Sequence, residues 1–110
     1  MIQASIDHYS GHVSGFQLTG HADAGEYGQD IVCSAVSVLS ITTVNGLQEV
    51  AGVDLTVDSD DENGGYLSVS VPVLNDAKKS VKADAILDTF ENGMKDIAES
   101  YSKYIILKTN

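Results

Sequence analysis

Apolar and polar side chains alternate at the start of the chain. The alternation runs through residues 2–6 and returns at Phe16 and Leu18, after the turn-forming segment Tyr9-Ser10-Gly11. A period of two residues is typical of a strand with one buried face. The pattern therefore predicts a β-hairpin that ends near Gly20.

The next apolar stretch, from Ile31 to about Val50, is too long for a strand and predicts a helix. Asp30 stands where an N-cap is expected, and Gly52 stands where a helix commonly ends. Apolar residues occupy almost every side of the first half, and such a helix is usually buried on all sides. We expect it to lie between sheet layers or against the partner subunit of a dimer.

The second half of the chain repeats the order of two strands and a helix. Strands are predicted at about Val53–Val57 and Tyr66–Val73, joined by a segment rich in turn formers and charge. Apolar residues recur at helical spacing from about Lys78 to Ser100, and a last strand is predicted at about Lys103–Lys108. The predicted order is ββαββαβ, in one α+β domain that covers residues 1–110.

Charge limits the partners that the chain can have. Sixteen acidic residues against six basic ones give a net charge of −10, which repels phosphate backbones and anionic lipid. We therefore predict no nucleic-acid and no membrane partner. The first residues show no signal-peptide pattern, and the single cysteine excludes an internal disulfide. Both features lead us to expect a soluble, cytoplasmic protein.

Two possible metal sites do not match known ligand patterns. The acidic loop Asp58–Gly64 has Asn63 at position six, where a calcium loop requires glycine, and it lacks flanking helices. The spacing of Asp7, His8 and His12 matches no familiar set of metal ligands. We predict neither a metal nor a cofactor.

Cys33, the only cysteine, is either an inert core residue or a nucleophile. With Asp30 as the cap, Cys33 would fall in the first helical turn, where backbone N–H groups and the helix dipole favour a thiolate. The same N–H groups could stabilise an oxyanion on an attacked carbonyl. His21, just past the end of a strand, could act as the general base.

Residues 22–29 separate the histidine from the helix. They include Gly25 and Gly28 and no large aliphatic side chain. We expect them to form a mobile flap that excludes water when substrate is bound.

The sequence GHADAGEYGQDIVCSAVS at residues 20–37 resembles the signature of the ribosomal-processing cysteine proteases, the Prp family. The resemblance covers most of the chain. It includes Gly15-Phe16 and returns in the C-terminal helix at Gly93–Glu99. A small difference is Ser34, where alanine is common in the family.

The resemblance implies a small α+β homodimer from bacteria of the Firmicutes or their relatives. Such proteins remove a short N-terminal extension from large-subunit ribosomal protein twenty-seven, a step in ribosome assembly. The family's catalytic pair falls on His21 and Cys33, and its motif places Gly20, Asp30 and Ser37 at or beside the active site. The removed extension is largely apolar and ends in aromatic residues, so an apolar groove is expected near Cys33.

Three further expectations follow from the residues. Ser37 lies one helical turn after Cys33 on the same face, so its hydroxyl either bonds to its own helix or belongs to the site. Asp30 either only caps the helix or also orients His21. An acidic protein also suits a basic ribosomal substrate.

Two other functions remain open from the sequence. The first is a binding module that holds a basic ribosomal protein without cutting it, with Cys33 merely buried. The second is a redox sensor, which would need a partner molecule because the chain has no resolving cysteine.

Overall fold

A computed structural model describes residues 1–21, 27–62 and 64–110. It confirms the predicted α+β domain and its ββαββαβ order. The elements are β1 (Ile2–Tyr9), β2 (His12–Thr19), α1 (Tyr27–Glu49), β3 (Thr56–Asp60), β4 (Tyr66–Ser70), α2 (Ala77–Ser100) and β5 (Ile105–Thr109).

The strands form one sheet in the order β3-β4-β2-β1-β5. β1 and β2 are the predicted hairpin, and its turn places Ser10 and Gly11 at positive φ. β5 pairs with β1 in parallel, whereas the other neighbouring strands are antiparallel. The end of β2 therefore lies within the sheet, beside the start of β4.

The core lies between one face of this sheet and the two helices. Ile2, Phe16 and Val69 from the strands are fully buried with Val36 of α1 and Phe90 of α2. The rings of Phe16 and Phe90 have centroids 4.3 Å apart and join β2 to α2. Both helices are thus held against the same sheet face.

α1 has sheet on one side only, because the described strands form a single sheet. The predicted packing between sheet layers is therefore wrong. Ile31, Val38 and Ile41 are 41%, 65% and 58% exposed. We call these three residues the α1 strip. Contact of this helix with a partner subunit, the other predicted arrangement, stays a prediction.

By length and composition alone, the segment Gly28–Glu49 could cross a bilayer. Val32, Val36 and Leu47 on its inner face nevertheless share one hydrophobic core with the strands and α2. A core helix of a folded domain has this character.

α1 begins at Tyr27 rather than Ile31, so the prediction that Asp30 is the N-cap is wrong. Asp30 lies in the first turn, where its charge complements the helix dipole. The end of α1 is close to the prediction. Gly52 has a φ of +68°, and the backbone N–H of Val53 donates to the carbonyl of Leu47 at 2.9 Å.

The hydrogen bond at Val53 also explains why β3 begins at Thr56 rather than Val53. β4 ends at Ser70, before Pro72, which cannot donate to a strand ladder. β5 begins later than predicted because the N–H of Tyr104 first closes a turn onto the carbonyl of Tyr101.

Candidate active site

Gly20 turns the chain at the end of β2 and so places His21. Its φ is +81°, and a Cβ built on it would come 2.7 Å from the carbonyl oxygen of Met1. Its N–H donates to the carbonyl of Gly65 at 3.2 Å. Only glycine fits both the conformation and the close approach. Gly20 therefore contributes to the site by fixing the backbone conformation that positions His21.

Cys33 lies in the second turn of α1 and is 7% exposed. The predicted first-turn position is wrong because the helix starts four residues earlier. The Cys33 thiol donates to the carbonyl of Gly20, with Sγ 3.7 Å from the oxygen. Gln29, one turn before Cys33, directs its side-chain Nε2 at the sulfur from 3.4 Å. The fold thus brings the sulfur against the residue that precedes His21.

Ser37 also contacts the histidine segment. Its hydroxyl donates to the backbone carbonyl of His21 at 3.3 Å rather than to its own helix. Two successive turns of α1, at Cys33 and Ser37, therefore bond to the backbone of Gly20 and His21. These contacts fix the helix relative to the end of β2.

The imidazole of His21 is half-buried, and its Nδ1 is buried with no hydrogen-bond partner among the described residues. Asp30 therefore does not orient the ring through Nδ1. Burial lowers the pKa of His21 below its ordinary value of 6.5, and the negative charge of Asp61 opposes this to a smaller degree. The imidazole is consequently neutral at pH 7 and able to accept a proton.

Of the two glycines in the predicted flap, Gly25 lies outside the described residues, as does the whole of 22–26. Gly28 lies in the first turn of α1. A Cβ on Gly28 would come 2.7 Å from Cε2 of Tyr104. Gly28 therefore lies in a closely packed helical turn rather than in a loop, and the flap role of the segment stays a prediction.

A groove of about 250 Å³ lies beside His21, between α1 and the β3–β4 end of the sheet. Most of its lining is apolar, and Asp61 supplies a negative charge. We call it the His21 groove; it is lined by His21, Ile41, Val44, Asn45, Val57, Ser59, Asp61, Tyr66 and Leu67. The resemblance implies an apolar groove near Cys33; the His21 groove lies beside His21, and Cys33 is not among its lining residues, so that expectation stays a prediction.

The histidines considered as metal ligands have other partners. His8 bonds through Nε2 to Glu91 and through Nδ1 to the carbonyl of Asn110, both at 3.0 Å, and these acceptors raise its pKa. His12 pairs with Asp84 at 2.8 Å. Within residues 1–21, 27–62 and 64–110, no three His, Cys, Asp or Glu side chains are grouped to hold a metal ion.

Comparison with known proteins identifies the family. The sequence model of cysteine protease Prp matches residues 1–106. The chain belongs to the Prp family of cysteine proteases.

Relatives of the Prp family cover the whole chain. The ribosomal processing cysteine protease Prp of Bacillus subtilis is 33% identical over 100% of this chain and 98% of its own length. The crystal structure of SMU.848 from Streptococcus mutans superposes with a TM-score of 0.90 at 35% identity, covering 99% of this chain and 93% of that one. Prp from S. aureus in complex with a substrate peptide has a TM-score of 0.84 at 30% identity, with full coverage of both chains.

Prp membership confirms the resemblance that residues 20–37 carry, and it makes this chain a cysteine peptidase. The binding-module and redox-sensor alternatives are not supported. Sequence reasoning about this Prp protein missed Gln29 and the groove residues Ile41, Val57 and Tyr66. The position of Gln29, four residues before the cysteine, is the one signal that could have found it, because residues i and i+4 share a helix face.

Proposed function

We propose that this protein is an endopeptidase that removes the N-terminal extension of large-subunit ribosomal protein twenty-seven during ribosome assembly. Cys33 is its nucleophile and His21 its general base. The contact of the Cys33 thiol with the carbonyl of Gly20, the neighbour of His21, carries the proposal. The names of the relatives support it, since those from B. subtilis and S. aureus are ribosomal processing proteases. A further S. aureus structure contains a covalently linked product peptide.

The reaction begins when neutral His21 takes the proton from the Cys33 thiol. The thiolate attacks the peptide carbonyl, so a C–S bond forms while the C=O π pair moves to oxygen. When that pair returns, the C–N bond breaks and the proton on His21 passes to the leaving amine. Water then attacks the thioester and gives a proton to His21. The C–S bond breaks, and the proton returns to the Cys33 sulfur.

The His21 groove is suited to hold apolar substrate side chains next to the bond that is cut. Ile41, Val57 and Tyr66 supply apolar surface there, and all three are exposed. Asp61 at the same groove favours a basic residue in the peptide. Together with the net charge of −10, this suits a basic ribosomal protein with an apolar extension. A ribosomal substrate would support a cytoplasmic location, which we include in the proposal.

We include a homodimer in the proposal. The α1 strip is an apolar surface with residues three and seven positions apart on one helix, and a monomer would leave it in water. A second copy that packs against Ile31 and Val38 would bury these two residues on both subunits and leave Ile41 to the His21 groove.

The test is mass spectrometry of the unprocessed ribosomal protein after incubation with the wild type, Cys33→Ser and His21→Ala. We expect wild type to release a single N-terminal fragment and both variants to leave the substrate intact. Ser34→Ala, an exposed neighbour on the same helix, is the matched control and should cleave like wild type. Cleavage by Cys33→Ser would refute the nucleophile assignment. An intact substrate with wild type would refute the proposed substrate.

A further inference from the structure

The start of α1 changes which groups can stabilise the oxyanion. Cys33 is the seventh residue of the helix, so its own N–H lies within the i→i−4 hydrogen-bond ladder. The first-turn N–H groups belong to residues that precede it by a turn. The backbone N–H of Cys33 is therefore already hydrogen-bonded within the helix and cannot also donate to the oxyanion. A side chain would have to provide that hydrogen bond instead.

Gln29 has the position and the chemistry of such a donor. Its Nε2 is 3.4 Å from Sγ of Cys33, and its side chain is part-buried. An amide N–H₂ provides two donors and does not titrate over the working pH range. Since Gln29 and Cys33 are four residues apart on one helix, the amide is held on the same face as the sulfur.

We propose that the side-chain amide of Gln29 donates a hydrogen bond to the oxyanion when Cys33 attacks the substrate. This rests on the proposed function and adds a catalytic residue to it. The oxyanion is two bonds from the sulfur, so the amide that lies 3.4 Å from Sγ can bond to the oxygen when the C–O bond points toward Gln29. The N–H holds the electron pair on oxygen until the C–N bond breaks, and no proton leaves Gln29.

The alternative is that Gln29 only stabilises the thiolate. The two roles differ in what they stabilise, because alkylation by iodoacetamide needs the thiolate but forms no oxyanion. A short, general peptide aldehyde with an apolar side chain, chosen without reference to the natural substrate, does form a tetrahedral adduct with the sulfur. An oxyanion donor therefore affects cleavage and aldehyde affinity, whereas a thiolate donor also affects alkylation.

The experiment compares wild type with Gln29→Met, which keeps the length of the side chain without a donor, and with Gln29→Ala. For an oxyanion donor we expect kcat/KM for the ribosomal precursor to fall by about 10²–10³-fold in both variants. Aldehyde affinity should weaken markedly, while the iodoacetamide rate at pH 7 stays at the wild-type value. Gln48→Ala makes the same truncation at an exposed site of α1 and should change none of the three. Thermal unfolding of each variant checks that α1 is intact.

Wild-type cleavage and aldehyde affinity in the Gln29 variants would overturn the assignment. An alkylation rate that falls by the same factor as kcat/KM would also overturn it, in favour of thiolate stabilisation. If wild type fails to cut the precursor, the proposed substrate is wrong. The aldehyde and iodoacetamide measurements would still decide the role of Gln29 in that case, because neither depends on the natural substrate.

Discussion

His21 is subject to two opposite influences on its protonation. Burial disfavours the imidazolium, whereas the charge of Asp61 favours it, and the pKa is lowered because burial is the larger of the two. In the proposed mechanism His21 must be unprotonated to accept the thiol proton, so its pKa would set the acid limb of the pH profile of kcat/KM. The balance at this one residue therefore determines how far into acid the enzyme works.

We expect the acid limb of wild-type kcat/KM to have its midpoint below pH 6.5, the ordinary value for histidine. Asp61→Asn removes the negative charge that favours the imidazolium, so the pKa of His21 should fall further and the midpoint should move to lower pH. Initial-rate profiles between about pH 4.5 and about pH 8.5, roughly two units to either side of that value, would measure this.

Asp58→Asn is the matched control, since Asp58 is an exposed acid of β3 that does not line the groove. It should leave the midpoint where wild type has it. A midpoint that moves to higher pH in Asp61→Asn would show that Asp61 does not act on His21 through its charge.

Among the elements, α1 shows how a contact distant in sequence constrains a single residue. Gly28 is a poor helix former, yet α1 includes it, and Tyr104, just before β5, occupies the space that a side chain at this position would need. Gly46, further along the same helix, has nothing closer than 3.7 Å to a built Cβ. The two glycines therefore respond differently to the same substitution.

Gly28→Ala should destabilise the protein by about 1–3 kcal/mol, because the added methyl group must displace the Tyr104 ring. Gly46→Ala should stabilise it by about 0.5–1 kcal/mol, because the methyl group fits and the helix gains propensity. Urea unfolding measures both. In Gly28→Ala/Tyr104→Ala the loss should be smaller than the sum of the two single losses. Additive losses would indicate that Gly28 matters for something other than the ring.

This contact also explains what the sequence could and could not predict. The hairpin, both helices and the end of α1 at Gly52 follow from local patterns, so they were predicted. The start of α1 was predicted at Ile31 because Asp30 precedes the apolar run, whereas the helix begins at Tyr27 and packs Gly28 against Tyr104. Local patterns contain no information about such a contact.

The candidate site likewise contains residues that local sequence patterns could predict and residues that they could not. His21 and Cys33 were selected as the candidate pair because each carries reactive chemistry, at the end of a strand and near the start of a helix. Gln29 was missed because its approach to the sulfur depends on where α1 begins. The His21 groove was expected only as an apolar surface, since Val57 and Tyr66 reach it through the pairing of β3 with β4.

At the scale of the whole molecule, the exposed surface of α1 is the feature that a single chain leaves unexplained. Both helices cover one sheet face, and the α1 strip points away from the core. Val38 is 65% exposed, more than Ile31 or Ile41, and it does not line the His21 groove. It is therefore the residue at which dimer contact can be tested without altering the groove.

Sedimentation velocity of the wild type should give a dimer, and Val38→Glu should give a monomer, because an unpaired charge in an apolar interface is costly to bury. Val81→Glu is the matched control: Val81 is 70% exposed on α2 and lies outside the strip, so this variant should remain dimeric. A dimer that persists in Val38→Glu would place the interface elsewhere. A wild-type monomer would mean that the strip has a different partner, and the peptide substrate, which the proposed function places in the groove alongside Ile41, would then be the first to test.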